Sequence, residues 1–179
     1  MKKIILTSAA ASLYASAALS LPVVSYVQQT SLYKPSTVHA AGFNVELYGS
    51  PAPGMSGEAA IAGLHGPAWA GGTPLRLLPQ DARPGQVTRL VLVFNGAGTP
   101  SEAACETPGA LGGGEAVAGS SLRVVAVYCS GDRMITRGAL SGDAVTGPGD
   151  SAYRSAMQSL LAAMFPPQNT NISPFGGGL

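Results

Sequence analysis

The chain has 179 residues, of which only 11% are charged, and a formal net charge of +1. That length supports one domain with a real core, while 24 Gly and 14 Pro make it rich in loops without reaching a low-complexity composition. All three lysines (Lys2, Lys3, Lys34) precede Ala41, and from there on seven Arg stand against nine Asp or Glu, so the basic face of a nucleic-acid binder and a polybasic membrane patch are both missing.

Met1-Lys2-Lys3 followed by the apolar run Ile4 to Ala11 has the layout of a secretory signal. Two cleavage points suit small-residue processing, one near Ala17 and one after Ala40. The expected division is therefore a signal or processing segment over 1–40 (alternative cleavage near 17), one domain over 41–166, and a disordered tail over 167–179. No charge falls between Ile4 and Tyr33, so a retained membrane anchor is the competing reading.

Phe43 to Tyr48 alternates apolar and polar residues and then meets Gly49-Ser50-Pro51, the pattern of a half-exposed strand. Ser56 is placed to cap a short helix, with Glu58 in its first turn. Pro74 to Pro79 is a short strand bracketed by prolines, which suits an edge. Val87 to Asn95 and Leu122 to Cys129 are rich in β-branched residues and apolar on both faces, so both are expected as interior strands covered on two sides. Between them, Thr99 and Glu102 have capping-box spacing with Pro100 at the first helical position, which predicts a helix over 101–107. Met134-Ile135 opens a segment of weak pattern. Asp150 or Ser151 then caps a last helix whose Tyr153, Met157, Leu160, Leu161, Met164 and Phe165 share one face.

That order, β-α-β-β-α-β plus a C-terminal helix, predicts an α+β fold, a two-layer sandwich with ferredoxin-like order. The alternative is a three-layer α/β sheet in which the two core strands are parallel neighbours.

Cys105 and Cys129 are the only cysteines. An even count in an exported chain predicts a disulfide, whose loop of about 25 residues stabilises by roughly 3 kcal/mol on the chain-entropy model. A catalytic constellation is not legible. The sequence has no Gly-x-Ser-x-Gly elbow, no lysine from Ala41 onward for a phosphate loop, and too few His and Cys for a zinc site. Gly96-Ala-Gly-Thr-Pro-Ser101 reads as a strand-to-helix turn. No cofactor or metal is called for. The residues best suited to a ligand are His65, the single Trp69, and Asp132 and Arg133 at the carboxyl end of a core strand. Together these readings describe a periplasmic or secreted, non-catalytic small domain that binds a protein or cell-envelope component or associates with itself. The alternative is a small hydrolase or thiol-dependent enzyme.

Overall fold

The computed structural model describes residues 23–79, 82, 84–97 and 101–168. Six strands form one mixed sheet: β1 (Val23–Gln29), β2 (Asn44–Tyr48), β3 (Arg76–Leu77), β4 (Thr88–Phe94), β5 (Leu122–Ser130) and β6 (Arg133–Gly142). The helices are α1 (Pro35–Ala41), α2 (Gly57–Ile61), α3 (Ala103–Glu106) and α4 (Ser151–Met164). Strand order is β1-β6-β5-β4-β2-β3. The class is α+β.

The strand order departs from the ferredoxin-like expectation. That arrangement splits its β-α-β units by inserting a third strand between the parallel pair. Here β2 and β3 are direct parallel neighbours, joined through α2, and β2 is also parallel to β4. A further strand, β6, follows β5 by a hairpin where the sequence shows only a weak pattern.

The two core strands pair antiparallel, not parallel, over Thr88–Phe94 and Val124–Ser130. Side-chain alternation then assigns the faces. Leu90, Leu92 and Phe94 lie on one side with Val124, Ala126 and Tyr128, in the main core beneath α1, α2 and α4. Val91 and Val93 lie on the other with Val125, Val127 and Cys129, beneath Ala104 and Cys105 of α3. The second face is thus closed by a four-residue helix that the Cys105–Cys129 disulfide ties to the sheet (S–S 2.03 Å, Cα–Cα 5.6 Å). Such a helix is too short to stand by itself.

α4 starts at Asp150, whose side chain accepts from the Tyr153 N–H at 3.0 Å. All six residues of its expected apolar face are buried. Phe165 meets Phe43 and Tyr128 edge-on, with ring centroids 5.1 and 5.0 Å apart, a favourable aromatic geometry. Gly138 lets the helix approach β6, since a Cβ there would lie 2.8 Å from Leu160 Cδ1. Pro74 to Pro79 contributes only the two-residue edge strand β3.

β1 and all of α1 but its last residue fall within the segment 1–40. β1 pairs antiparallel with β6, and Tyr33 and Val38 are buried in the main core. The charged and apolar start of the chain and the Ala17 cleavage point lie outside the described residues, as do Thr99 and Pro100 of the capping motif and the tail beyond residue 168. The helix expected over 101–107 is α3, shorter at both ends.

Candidate functional site

The four residues singled out from the sequence occupy two separate places. Asp132 and Arg133 belong to the hairpin between β5 and β6, where Ser130 pairs with Arg133 and Gly131-Asp132 makes a two-residue turn. Gly131 has φ +58°, and a Cβ there would lie 2.9 Å from the Gly85 carbonyl oxygen, so the turn demands glycine twice over. Both Asp132 and Arg133 are exposed.

His65 and Trp69 lie on the connection between α2 and β3, alongside α4. The His65 backbone is held by Gln158, whose Oε1 accepts from its N–H at 3.3 Å and whose Nε2 donates to its carbonyl at 2.8 Å. The imidazole-bearing residue itself is exposed. Trp69 is half-buried against the main core, and its indole N–H donates to the Phe165 carbonyl at 2.8 Å. It satisfies a carbonyl at the end of α4 that has no helical partner. That is a packing and capping role.

The most polar buried arrangement is one the sequence reading passed over. Arg89, on the second face of β4, is 1% exposed. Its Nε donates to Glu46 Oε2 at 2.6 Å, its Nη1 to the Gly131 carbonyl at 2.9 Å, and its Nη2 to the Cys105 carbonyl at 2.7 Å. The Tyr48 hydroxyl donates to Glu46 Oε1 at 2.6 Å. Burial first, and the Glu46 carboxylate second, push the Tyr48 hydroxyl up to about 12. Glu46 is therefore an ion-pair partner. One guanidinium joins β2, the disulfide-bearing helix and the β5–β6 turn. A signal existed: an Arg in register with Val91 and Val93 on a buried face requires an acid.

Arg133 lines a groove of about 400 Å³ with Ser31, Lys34, Thr37 and Ser130, over Leu32 and Ile135. A second groove, of about 450 Å³, lies along β2 and β3 beside Val45, Leu47, Leu77 and Pro79. His65 and Trp69 line neither.

The two sheet edges differ. β3 has two residues between prolines, and Pro lacks the amide proton that would template a new strand. β1 has seven, Val-Val-Ser-Tyr-Val-Gln-Gln, with no charge and no proline. Val24 and Val27 face the main core, while Val23 and Tyr26 are 60% and 40% exposed. The Arg137 guanidinium stacks on the Tyr26 ring, 5.2 Å from its centroid, and donates to Gln28.

Both cysteines are bonded to one another and buried, so the chain offers no nucleophilic thiol. A disulfide of this kind fits an oxidising compartment, and no described helix is long and apolar enough to cross a membrane. No protein-family model matches the sequence, and no curated protein or solved structure matches it either.

Proposed function

We propose that the chain acts outside the cytoplasm as a non-catalytic binding domain that takes up an extended stretch of a partner polypeptide along β1. The observation that carries this reading is the contrast between the two edges. An open strand edge is a template for pairing, and soluble proteins blunt it with short length, proline, charge or a bulge. β3 is blunted by length, with proline close on either side. β1 is longer and has neither proline nor charge; its one safeguard is the register shift between Val24 and Tyr26, and two of its outward residues are exposed and apolar.

A peptide suits this edge better than a second copy. The ladder of β1 shifts register between Val24 and Tyr26. In a symmetric β1–β1 pair both irregularities would fall within one short ladder, whereas a single extended peptide can follow the bend. Main-chain bonds would supply affinity and alternate side chains specificity, with apolar partner residues beside Val23 and Tyr26 and a polar one near Arg137. The disulfide staple, which fits an oxidising compartment, supports a role in the envelope or medium, with processing before Val23 so that β1 is kept.

The test is selection of decapeptides from a random display library on the exported protein. Enriched peptides with alternating apolar residues should slow hydrogen exchange at the amides of β1. The Val23→Lys/Tyr26→Lys variant, altered only at exposed positions, should lose them while melting at an unchanged temperature. Peptides that protect other segments, or that bind the variant equally, would refute the assignment. Reversible dimerisation abolished by the same variant would replace the peptide with a second copy.

A further inference from the structure

We infer that the groove between the start of α1 and the β5–β6 turn binds the phosphate of a small phosphate ester. The observation is a set of unused donors. Ser31, Lys34 and Thr37 come from one segment, Ser130 and Arg133 from another, and all five line one concavity. No acidic residue is among its walls. Among the described residues, neither Lys34 nor Arg133 makes an ion pair or a side-chain hydrogen bond, and the three hydroxyls are equally uncommitted. Three other arginines are engaged, Arg89 with Glu46, Arg137 with Gln28 and Arg154 with the Gly149 carbonyl; Arg76 and Arg123 have no such bond among the described residues, but neither lines this groove beside a second cation.

Chance placement of cations does not explain this well. From Val23 onward the chain has eight Lys and Arg against nine Asp and Glu, yet the lining holds two cations and no acid, since Asp132 of the adjoining turn is not among its walls. Nor are the walls loose. The Thr30 N–H donates to the Ile135 carbonyl at 2.9 Å, and the Tyr33 N–H donates to the Thr30 carbonyl at 3.1 Å. These bonds fix the segment bearing Ser31 and Lys34 against the strand that follows Arg133. Arg133 itself is set by the turn whose Gly131 carbonyl the buried Arg89 holds.

The donors choose the ligand. An ammonium, a guanidinium fork and three hydroxyls exceed what the two oxygens of a carboxylate can accept, and they match a phosphate with its additional acceptors. A volume of about 400 Å³ exceeds what a bare ion fills and falls at the lower end of small-ligand sites. Leu32 and Ile135 give the carbon body an apolar wall. The phosphate source is either a free ester or a lipid headgroup, since both present the same oxygens.

Lys34 is the only lysine after Lys3, which makes it a selective reporter. The exported protein is treated with an amine-acylating reagent, and Lys34 modification is read by mass spectrometry with and without glycerol 3-phosphate. Modification should slow in its presence and not with glycerol or acetate. Arg133→Ala should weaken the protection about tenfold or more, the loss of a charge-assisted bond, and Arg133→Lys should restore part of it. Both variants lie at an exposed position and should melt with the wild type. Vesicles containing phosphatidic acid, compared with phosphatidylcholine alone, separate the two sources: protection by vesicles points to a headgroup, protection by the soluble ester alone to a free metabolite. Unchanged Lys34 reactivity with both probes, or protection that survives in Arg133→Ala, would overturn the inference.

Discussion

Arg89 Nη2 donates to the backbone carbonyl of Cys105 at 2.7 Å, so the guanidinium at the start of β4 holds the same helix that the disulfide holds. The two restraints act on one small segment from two directions. The bond to sulfur limits how far α3 can move from β5, and the bond from Arg89 sets its height over β4. Breaking a buried ion pair by removing one partner leaves the other charge without compensation, at a cost of about 3–5 kcal/mol. Arg89→Ala is expected to lose stability of that order in urea denaturation. Arg89→Met combined with Glu46→Leu should recover much of it, because no lone charge then remains buried. A loss below about 1 kcal/mol for Arg89→Ala would show that the pair is solvated in practice.

Gly138 and Gly149 give a paired test of helix packing. A Cβ on Gly138 would lie 2.8 Å from Leu160 Cδ1 and 3.0 Å from Met164 Cγ, whereas one on Gly149 would meet nothing within 4 Å. Gly138→Val should therefore force α4 off β6 and lose about 1–3 kcal/mol, as overpacked cores do. Gly149→Ala should leave the melting temperature unchanged. Equal effects at the two positions would contradict the close seating of α4.

Stability should fall at both ends of the pH range, for different reasons. The Asp150 carboxyl is held below the ordinary carboxylate range by bonds from the Thr146 and Tyr153 N–H groups. A depressed folded pKa gives a contribution present above the unfolded value and lost as pH drops through the folded one. The capping contribution should thus fade below about pH 4, and Asp150→Ala should flatten that limb while costing about 1 kcal/mol at neutral pH. At the alkaline end, burial raises Tyr33 to about 12 and pushes Tyr128 and Tyr153 up further. A raised folded pKa gives stability present below the unfolded value and lost as pH climbs through the folded one. Unfolding should set in above about pH 10, together with the tyrosinate absorbance of these residues.

Processing after Ala40 would remove β1, Tyr33, Val38 and Lys34 in one cut. Tyr33 and Val38 are 1% and 0% exposed, and their loss would open the main core at a cost of several kcal/mol by the usual scale for large buried side chains. Intact mass of the exported protein should therefore place its first residue before Val23. A mass starting at Ala41 on a protein that still folds cooperatively would refute this.

The sequence by itself determined which residues meet the core and which sulfurs meet each other. β-branched runs with two apolar faces, a six-residue helical stripe ending at Phe165 and a single cysteine pair are local or compositional signals, and each survives folding because burial rewards it directly. β6 escaped notice for an equally local reason. Its register shifts opposite Tyr128 and Cys129, so Ile135 and Thr136 both face inward, and Gly138 empties another inward position. Alternation cannot be read through such a break. Strand order, the antiparallel pairing of β4 with β5, the burial of Arg89 against Glu46 and the meeting of Lys34 with Arg133 were decided by tertiary structure alone. Each joins residues more than forty positions apart or depends on which strands become neighbours, and no periodicity along one chain encodes that choice.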